Sequence, residues 1–156
     1  MSKFSALAAN VADTYRVELI DPISDDILRD IDGNAAYIDV LSTDSETGRI
    51  FDAEARQRAF RAARKSRTGM PDDIDHLEEN QRKLANLTRG WYLVDPNTRE
   101  KIDVPFSAKD ALELYREPGM NWLFVQVYSG AANAGNFMKR PTSSNGRSAS
   151  SKTAAS

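Results

Sequence analysis

The only histidine, His76, lies in the run Asp72-Asp73-Ile74-Asp75-His76-Leu77-Glu78-Glu79. On a helix Asp72, Asp75 or His76, and Glu79 would share one face, and oxygen-rich faces of this kind bind hard cations. The same spacing describes an acidic helix start, where carboxylates suit the positive end of the helix dipole and stay in water. That second reading is preferred, so no metal and no cofactor is expected. Ser42, Thr43 and Ser45 beside Asp44 offer hydroxyls and a carboxylate, but a nucleophile needs a positioned general base. Their better use is to cap the passage from a strand into a helix. The sequence holds neither a phosphate-cradling glycine-rich loop nor a G-x-S-x-G elbow. With no local catalytic set the chain is not expected to be an enzyme. It has no cysteine, hence no thiolate chemistry and no disulfide framework, which suits a reducing cytoplasm.

Binding is the chemistry that remains. Arg49 to Arg67 carries seven cations against two carboxylates, Asp52 and Glu54. Such a helix could follow a nucleic-acid backbone. The following segment opens with five acids, Asp72, Asp73, Asp75, Glu78 and Glu79, so neutralisation within the chain or docking to an acidic partner competes with that use. A charge run alone is ordinarily a solvated face, and nucleic acid is not the expected partner. Arg56, Arg61 and Arg64 are instead assigned to an electrostatic docking face. Tyr115, Trp122, Phe124, Tyr128 and Phe137 form an aromatic cluster, which more often fills a core than a binding surface. Aromatic rings also serve as interface anchors, so Trp122, Phe124, Tyr128 and Phe137 are the candidate partner contacts.

The elements that must position these groups follow from pattern and period. A chain of 156 residues supports one core, and 40% hydrophobic with 28% charged residues is ordinary globular composition. The net charge of -2 produces no field able to hold the chain on nucleic acid or a membrane. Tyr15, Val17 and Leu19 alternate with charges and stop at Asp21-Pro22, which predicts a strand. A second strand, Tyr37 to Leu41, follows the Gly33-Asn34 turn, with Ser24 to Ile31 as a connecting helix. Phe51, Ala55, Ala59 and Ala62 recur at helical spacing and give a thin alanine-rich face. A break at Thr68-Gly69-Met70-Pro71 precedes a helix starting at Asp72 or Asp73, with Ile74, Leu77, Leu84, Leu87 and Trp91 on its core side. Asp95-Pro96-Asn97 is a turn by its chemistry, and Ile102, Val104 and Phe106 alternate beyond it as a strand or short hairpin. Ser107 caps a helix from Ala108 to Glu117, ended by Pro118-Gly119. Gln126, Ser129, Asn133 and Asn136 form a polar stripe at i, i+3, i+7 and i+10, so Met120 to Phe137 reads as a helix despite its strand-like composition.

The expected class is therefore α+β, a small amino-terminal β unit followed by a helical carboxy-terminal part. One domain spans 1–140, β-rich over 14–45 and mainly helical over 50–138. Residues 141–156 hold too little apolar surface to offset chain entropy and should be disordered. Met1 to Ala12, with Phe4, Leu7 and Val11, reads as a short amphipathic helix without the continuous apolar run of a signal peptide. No stretch approaches the roughly 18 apolar residues of a membrane span, and no membrane association is expected.

The progression Trp91, Val104-Pro105-Phe106-Ser107, Ala111-Leu112-Glu113-Leu114-Tyr115, Pro118, Trp122-Leu123, Gln126-Val127 and Asn136-Phe137 resembles the carboxy-terminal part of tail assembly chaperones of long-tailed bacteriophages and prophages. Gly33 to Arg49, with Tyr37-Ile38-Asp39-Val40-Leu41-Ser42 and Asp44-Ser45, is similar to their amino-terminal segment. Where relatives approach the Asn-Phe pair through charged residues, this chain has Ala134-Gly135. The resemblance implies a non-enzymatic late protein of the host cytoplasm that binds the tape measure protein and recruits tail tube subunits. It also implies absence from the finished virion and a longer frameshifted product. A structural neck or tail protein of the virion, and a nucleic-acid-binding accessory protein using the helix at 49–67, are the alternatives. The oligomeric state is left open by the sequence.

Overall fold

The computed structural model describes residues 3–65 and 75–138. The chain is α+β, and its sheet has four strands in the order β1-β2-β3-β4, each antiparallel to its neighbour. β1 (Tyr15–Glu18) and β2 (Tyr37–Val40) come from the first 45 residues. β3 (Thr88–Val94) and β4 (Lys101–Ile102) come from the second half, so the sheet is not confined to the amino-terminal unit. Among the described residues there are four α-helices: α1 (Glu46–Lys65), α2 (His76–Leu87), α3 (Ala108–Arg116) and α4 (Asn121–Ala132).

Between β1 and β2 the expected helix over Ser24 to Ile31 does not form. The Asp21 carboxylate accepts the amide of Ile23 at 2.9 Å, and Asp25 adopts a positive φ of 67°, which turns the chain instead. Leu28 then runs between Leu19 and Ala36, its amide donating to the Leu19 carbonyl and its carbonyl accepting the Ala36 amide, each at 2.8 Å. The period-two alternation that buries Leu28 therefore prevails over the helical spacing of Ile23, Ile27 and Ile31, whose ends Ile23 and Ile31 lie exposed.

A second correction concerns Trp91. The spacing Leu84, Leu87, Trp91 is helical, yet α2 stops at Leu87 and the chain enters β3 directly. Thr88 makes this junction. Its amide and its hydroxyl both donate to the carbonyl of Leu84, the hydroxyl at 2.7 Å, and the hydroxyl also meets the Tyr115 phenol at 2.7 Å. Pairing with β2 then decides the conformation of Trp91, an instance of strand formation governed by the partner rather than by local propensity. Leu77, assigned to the core face of α2, is half exposed. The break at 68–71, the helix start at Asp72 or Asp73, Ile74 and the tail 141–156 lie outside the described residues. At the amino terminus the expected helix shrinks to one 3-10 turn, Ser5–Leu7, because Ala8 is already extended.

On one side of the sheet Val17, Ile38 and Val40 meet Leu84, Leu87, Tyr115, Leu123 and Val127 from α2, α3 and α4 in a single core. α4 packs on β1 and β2, and α1 lies beside α2. The expected polar stripe divides, for Ser129 and Asn133 lie exposed while Gln126 and Asn136 are used inside the molecule. Gln126 donates to the carbonyl of Ile20 at 2.9 Å and accepts its amide at 2.7 Å, as a strand neighbour would. Asn136 donates to the carbonyl of Gly130, and Asn133 caps the 3-10 turn Ala134–Phe137, which replaces the last turns of the expected helix.

The opposite side of the sheet carries a ladder of cations and rings. Arg16 binds Asp39 through two hydrogen bonds and stacks 3.6 Å above the Tyr37 ring. Tyr37 stacks on Tyr92 at 6.0 Å, and Lys101 approaches Tyr92 at 5.3 Å. The Tyr92 hydroxyl donates to Asp30, which also accepts from the amide of Asn34 at 2.8 Å. The Tyr92 hydrogen bond first, and then those of Asn34, hold the Asp30 carboxyl below its ordinary range, while the Tyr92 phenol is raised.

Two predictions follow from these contacts. Gln126→Leu leaves the amide and carbonyl of Ile20 without partners and should cost about 2 kcal/mol, measured by urea denaturation. A carboxylate whose pKa is lowered by folding stabilises the protein above its unfolded value of about 3.9, and that contribution disappears as pH falls through the lowered folded value. Tyr92→Phe should therefore be more destabilising at neutral pH than in acid, where the two proteins converge.

Candidate docking surfaces

Ser45 and Ser42 start α1 as capping residues. The Ser45 hydroxyl accepts the amide of Gly48 at 3.3 Å, and Ser42 accepts that of Asp44 at 3.0 Å. Gly48 is held so close to Thr43 that a Cβ would lie 2.2 Å from its carbonyl oxygen, which makes glycine obligatory at this crowded first turn. From there α1 runs for 20 residues in which Gly48 is the one buried position.

The alanine-rich face, Phe51, Ala55, Ala59 and Ala62, looks toward α2 across an open cleft of 550 Å³ rather than into a packed interface. Small side chains leave this gap because methyl groups do not reach the facing helix. Ionic contacts bridge it: Lys83, a mostly buried side chain of α2, reaches Asp52 at 3.0 Å, and Arg58 reaches Glu79 at 3.0 Å. Part of the acidic start of α2 is thus neutralised within the chain. Glu78 binds both Arg82 and Arg116, and the Asp75 carboxylate accepts the amide of Glu78 as the helix cap. His76 is exposed at the first position of α2. Among the described residues no group of three His, Cys, Asp or Glu side chains is placed to hold a metal ion, and Asp72 lies outside them.

The three arginines assigned to docking divide. Arg56 lines the cleft, while Arg61 and Arg64 lie exposed on the far side of α1, where Arg61 donates to Gln57 at 3.3 Å. None of the three forms an ion pair among the described residues. The same outer side exposes Ile50 and Phe60, the latter 70% accessible. These two were missed in the sequence because attention to the alanine stripe hides a second periodicity, in which Ile50, Ala53, Gln57, Phe60 and Arg64 recur at i, i+3, i+7, i+10 and i+14.

The aromatic candidates resolve into core and rim. Phe124 and Phe137 are buried. Phe124 packs edge-on against Tyr115 at 6.1 Å, and Phe137 packs edge-on against Tyr15 at 6.1 Å. Neither presents a surface to a partner, since Phe137 is spent against β1 and Phe124 between α4 and α3. Trp122 and Tyr128 are half-buried at the edge of the same core.

A separate groove of 320 Å³ lies between the β3–β4 hairpin and α3. Trp91 anchors it, donating from its indole nitrogen to the carbonyl of Val104 at 2.8 Å and packing edge-on against Phe106 at 5.1 Å. Placing Trp91 on a helix conceals this groove in the sequence. Compared with models of known families, with curated proteins and with solved structures, the chain matches none.

The core and surface assignments make opposite forecasts. Phe124→Ala should destabilise the protein by about 3–5 kcal/mol, whereas Phe60→Ala should stay within about 0.5 kcal/mol of the parent. Thermal or chemical denaturation of both variants decides the matter.

Proposed function

We propose that the chain is a tail assembly chaperone of a long-tailed bacteriophage, a non-enzymatic protein of the host cytoplasm that binds the tape measure protein and recruits tail tube subunits. The observation that carries this reading is the ordered progression from Trp91 to Asn136-Phe137 in the sequence. Its residues occupy one continuous unit, in which Ser107 caps α3, Pro118 follows it, Trp122-Leu123 opens α4 and Asn136-Phe137 closes the core. A protein-binding role is further supported by the outer side of α1, where apolar side chains stand among arginines. A nucleic acid would answer those arginines but gains nothing from Ile50 and Phe60.

The mechanism is reversible cover of apolar surface on unassembled subunits, with the exposed Ile50, Phe60 and arginines of α1 as the contact. Expressed together with the tape measure and tail tube proteins of its own genome, the chain should co-purify with the tape measure protein. Phe60→Asp combined with Arg61→Glu should abolish that co-purification while the thermal melt is retained. Mass spectrometry of purified virions should find the chain depleted. Abundant peptides in the particle would instead establish a structural neck or tail component.

A further inference from the structure

Two surfaces of this molecule, on different elements, are complementary to each other. The outer stripe of α1 joins Ile50, 50% exposed, and Phe60, 70% exposed, with Arg61 and Arg64 on the same side and Arg56 on its flank. Its i, i+3, i+7, i+10 spacing is that of a helix presenting a continuous seam to another element. α1 as a whole carries six cations against three carboxylates.

The groove beside α3 has the opposite character. Trp91, Leu93 and Leu114 line it, together with Ile102 and Val104, each 41% exposed. Along its rim stand Asp110 and Glu113 of α3 and Glu117, the residue that caps its carboxy-terminal end. None of these three carboxylates enters an ion pair among the described residues. The acidic row spans seven residues from Asp110 to Glu117, and Arg56 to Arg64 spans eight, about 12 Å of helix.

We propose that this chain associates with itself head to tail, the outer stripe of α1 from one copy seating in the groove between the β3–β4 hairpin and α3 of the next. Ile50 and Phe60 cover Ile102, Val104 and Trp91, and the arginines face Glu113 and Glu117. Charge selects this arrangement over a symmetric one, because pairing α1 with α1 brings two positively charged helices together. The chain's own residues 139–156 carry four cations and no carboxylate, which suits the rim, but they offer no aromatic ring and no large aliphatic side chain for the floor. A second copy supplies both charge and apolar bulk. Since the two patches differ, the interface is heterologous and builds either a ring or an open filament. One helix stripe makes a small interface of the transient kind, and its charged rim makes it salt-sensitive. The proposal does not rest on the chaperone reading.

Sedimentation velocity on the full chain tests it. At submillimolar concentration and low salt the protein should sediment as species heavier than its 17.3 kDa monomer. It should return to monomer in about 1 M salt, where the Debye length falls to about 3 Å. R56E/R61E/R64E gives an acidic stripe facing an acidic groove, and E113K/E117K gives a basic groove facing a basic stripe. Each variant alone should be monomeric. Mixed in equal amounts they should associate, because each stripe then finds an opposite groove. All five positions are on the surface, and far-UV circular dichroism melts report whether each variant is folded. Should a reversed variant fail to melt cooperatively, the neutral pair R61Q/R64Q with E113Q/E117Q takes its place, each alone showing loss of the heavier species. A monomeric parent at low salt overturns the proposal. So does a mixture that stays monomeric, or a stripe-reversed variant that self-associates as well as the parent.

Discussion

Where β2 meets β3, Ile38 lies opposite Trp91 and Tyr37 opposite Tyr92, and this seam joins stretches of chain separated by all of α1 and α2. Without β3 the amino-terminal hairpin would be an isolated pair of strands, which is marginal in water. With it, Val17, Ile38 and Val40 acquire a second wall of helices and become a core. The register also places Tyr37 and Tyr92 together on the other side, so that Arg16, Tyr37, Tyr92 and Lys101 form one ladder across all four strands. Pairs of this sort are the unit in which a sheet is stabilised.

The demands of that core explain where the aromatic side chains go. α4 must lie close to β1, and Gly130 permits it: a Cβ there would fall 2.6 Å from a methyl group of Val17. Close approach then lets Gln126 bind both backbone groups of Ile20, substituting for a fifth strand at that point. Phe137 is consumed against Tyr15 of β1, and Phe124 between α4 and Tyr115 of α3. A cluster that looks adhesive in sequence is thereby largely spent on the fold, and only Trp122 and Tyr128 retain a partial outlook.

α1 is the element the core does not absorb. Its inward face is mostly alanine, and ion pairs rather than packed side chains span much of its contact with α2. Exposed pairs of this kind contribute little each, so the helix is held chiefly by its crowded first turn at Gly48, by the partly sheltered Lys83–Asp52 pair and by its own length. Ile50 and Phe60 in water, flanked by arginines, are what a surface retained for a partner presents. The acidic groove by Trp91 has the complementary character and is reached from a different side of the fold.

Much of this was legible in the residues themselves. Alternation gave β1 and β2, Asp95-Pro96-Asn97 gave the turn that follows β3, and Ser107 with Asp110 marked the start of α3, because each depends on interactions within a few residues; the strand expected over Ile102, Val104 and Phe106 shrinks to Lys101–Ile102, and the Val104 carbonyl instead accepts the Trp91 indole N–H. The α+β class follows from the same local signals. Tertiary structure decided the rest. Ile27 to Arg29 became extended and Trp91 a strand residue because neighbouring backbone offered partners that no local period encodes. Gln126 turned inward because Ile20, 106 residues before it, needed hydrogen bonds, whereas Ser129 and Asn133 of the same stripe stay exposed. Which of the rings and arginines remain available to a partner was likewise settled by packing: burial depends on what the whole chain brings alongside a residue, and sequence spacing states only which residues share a face.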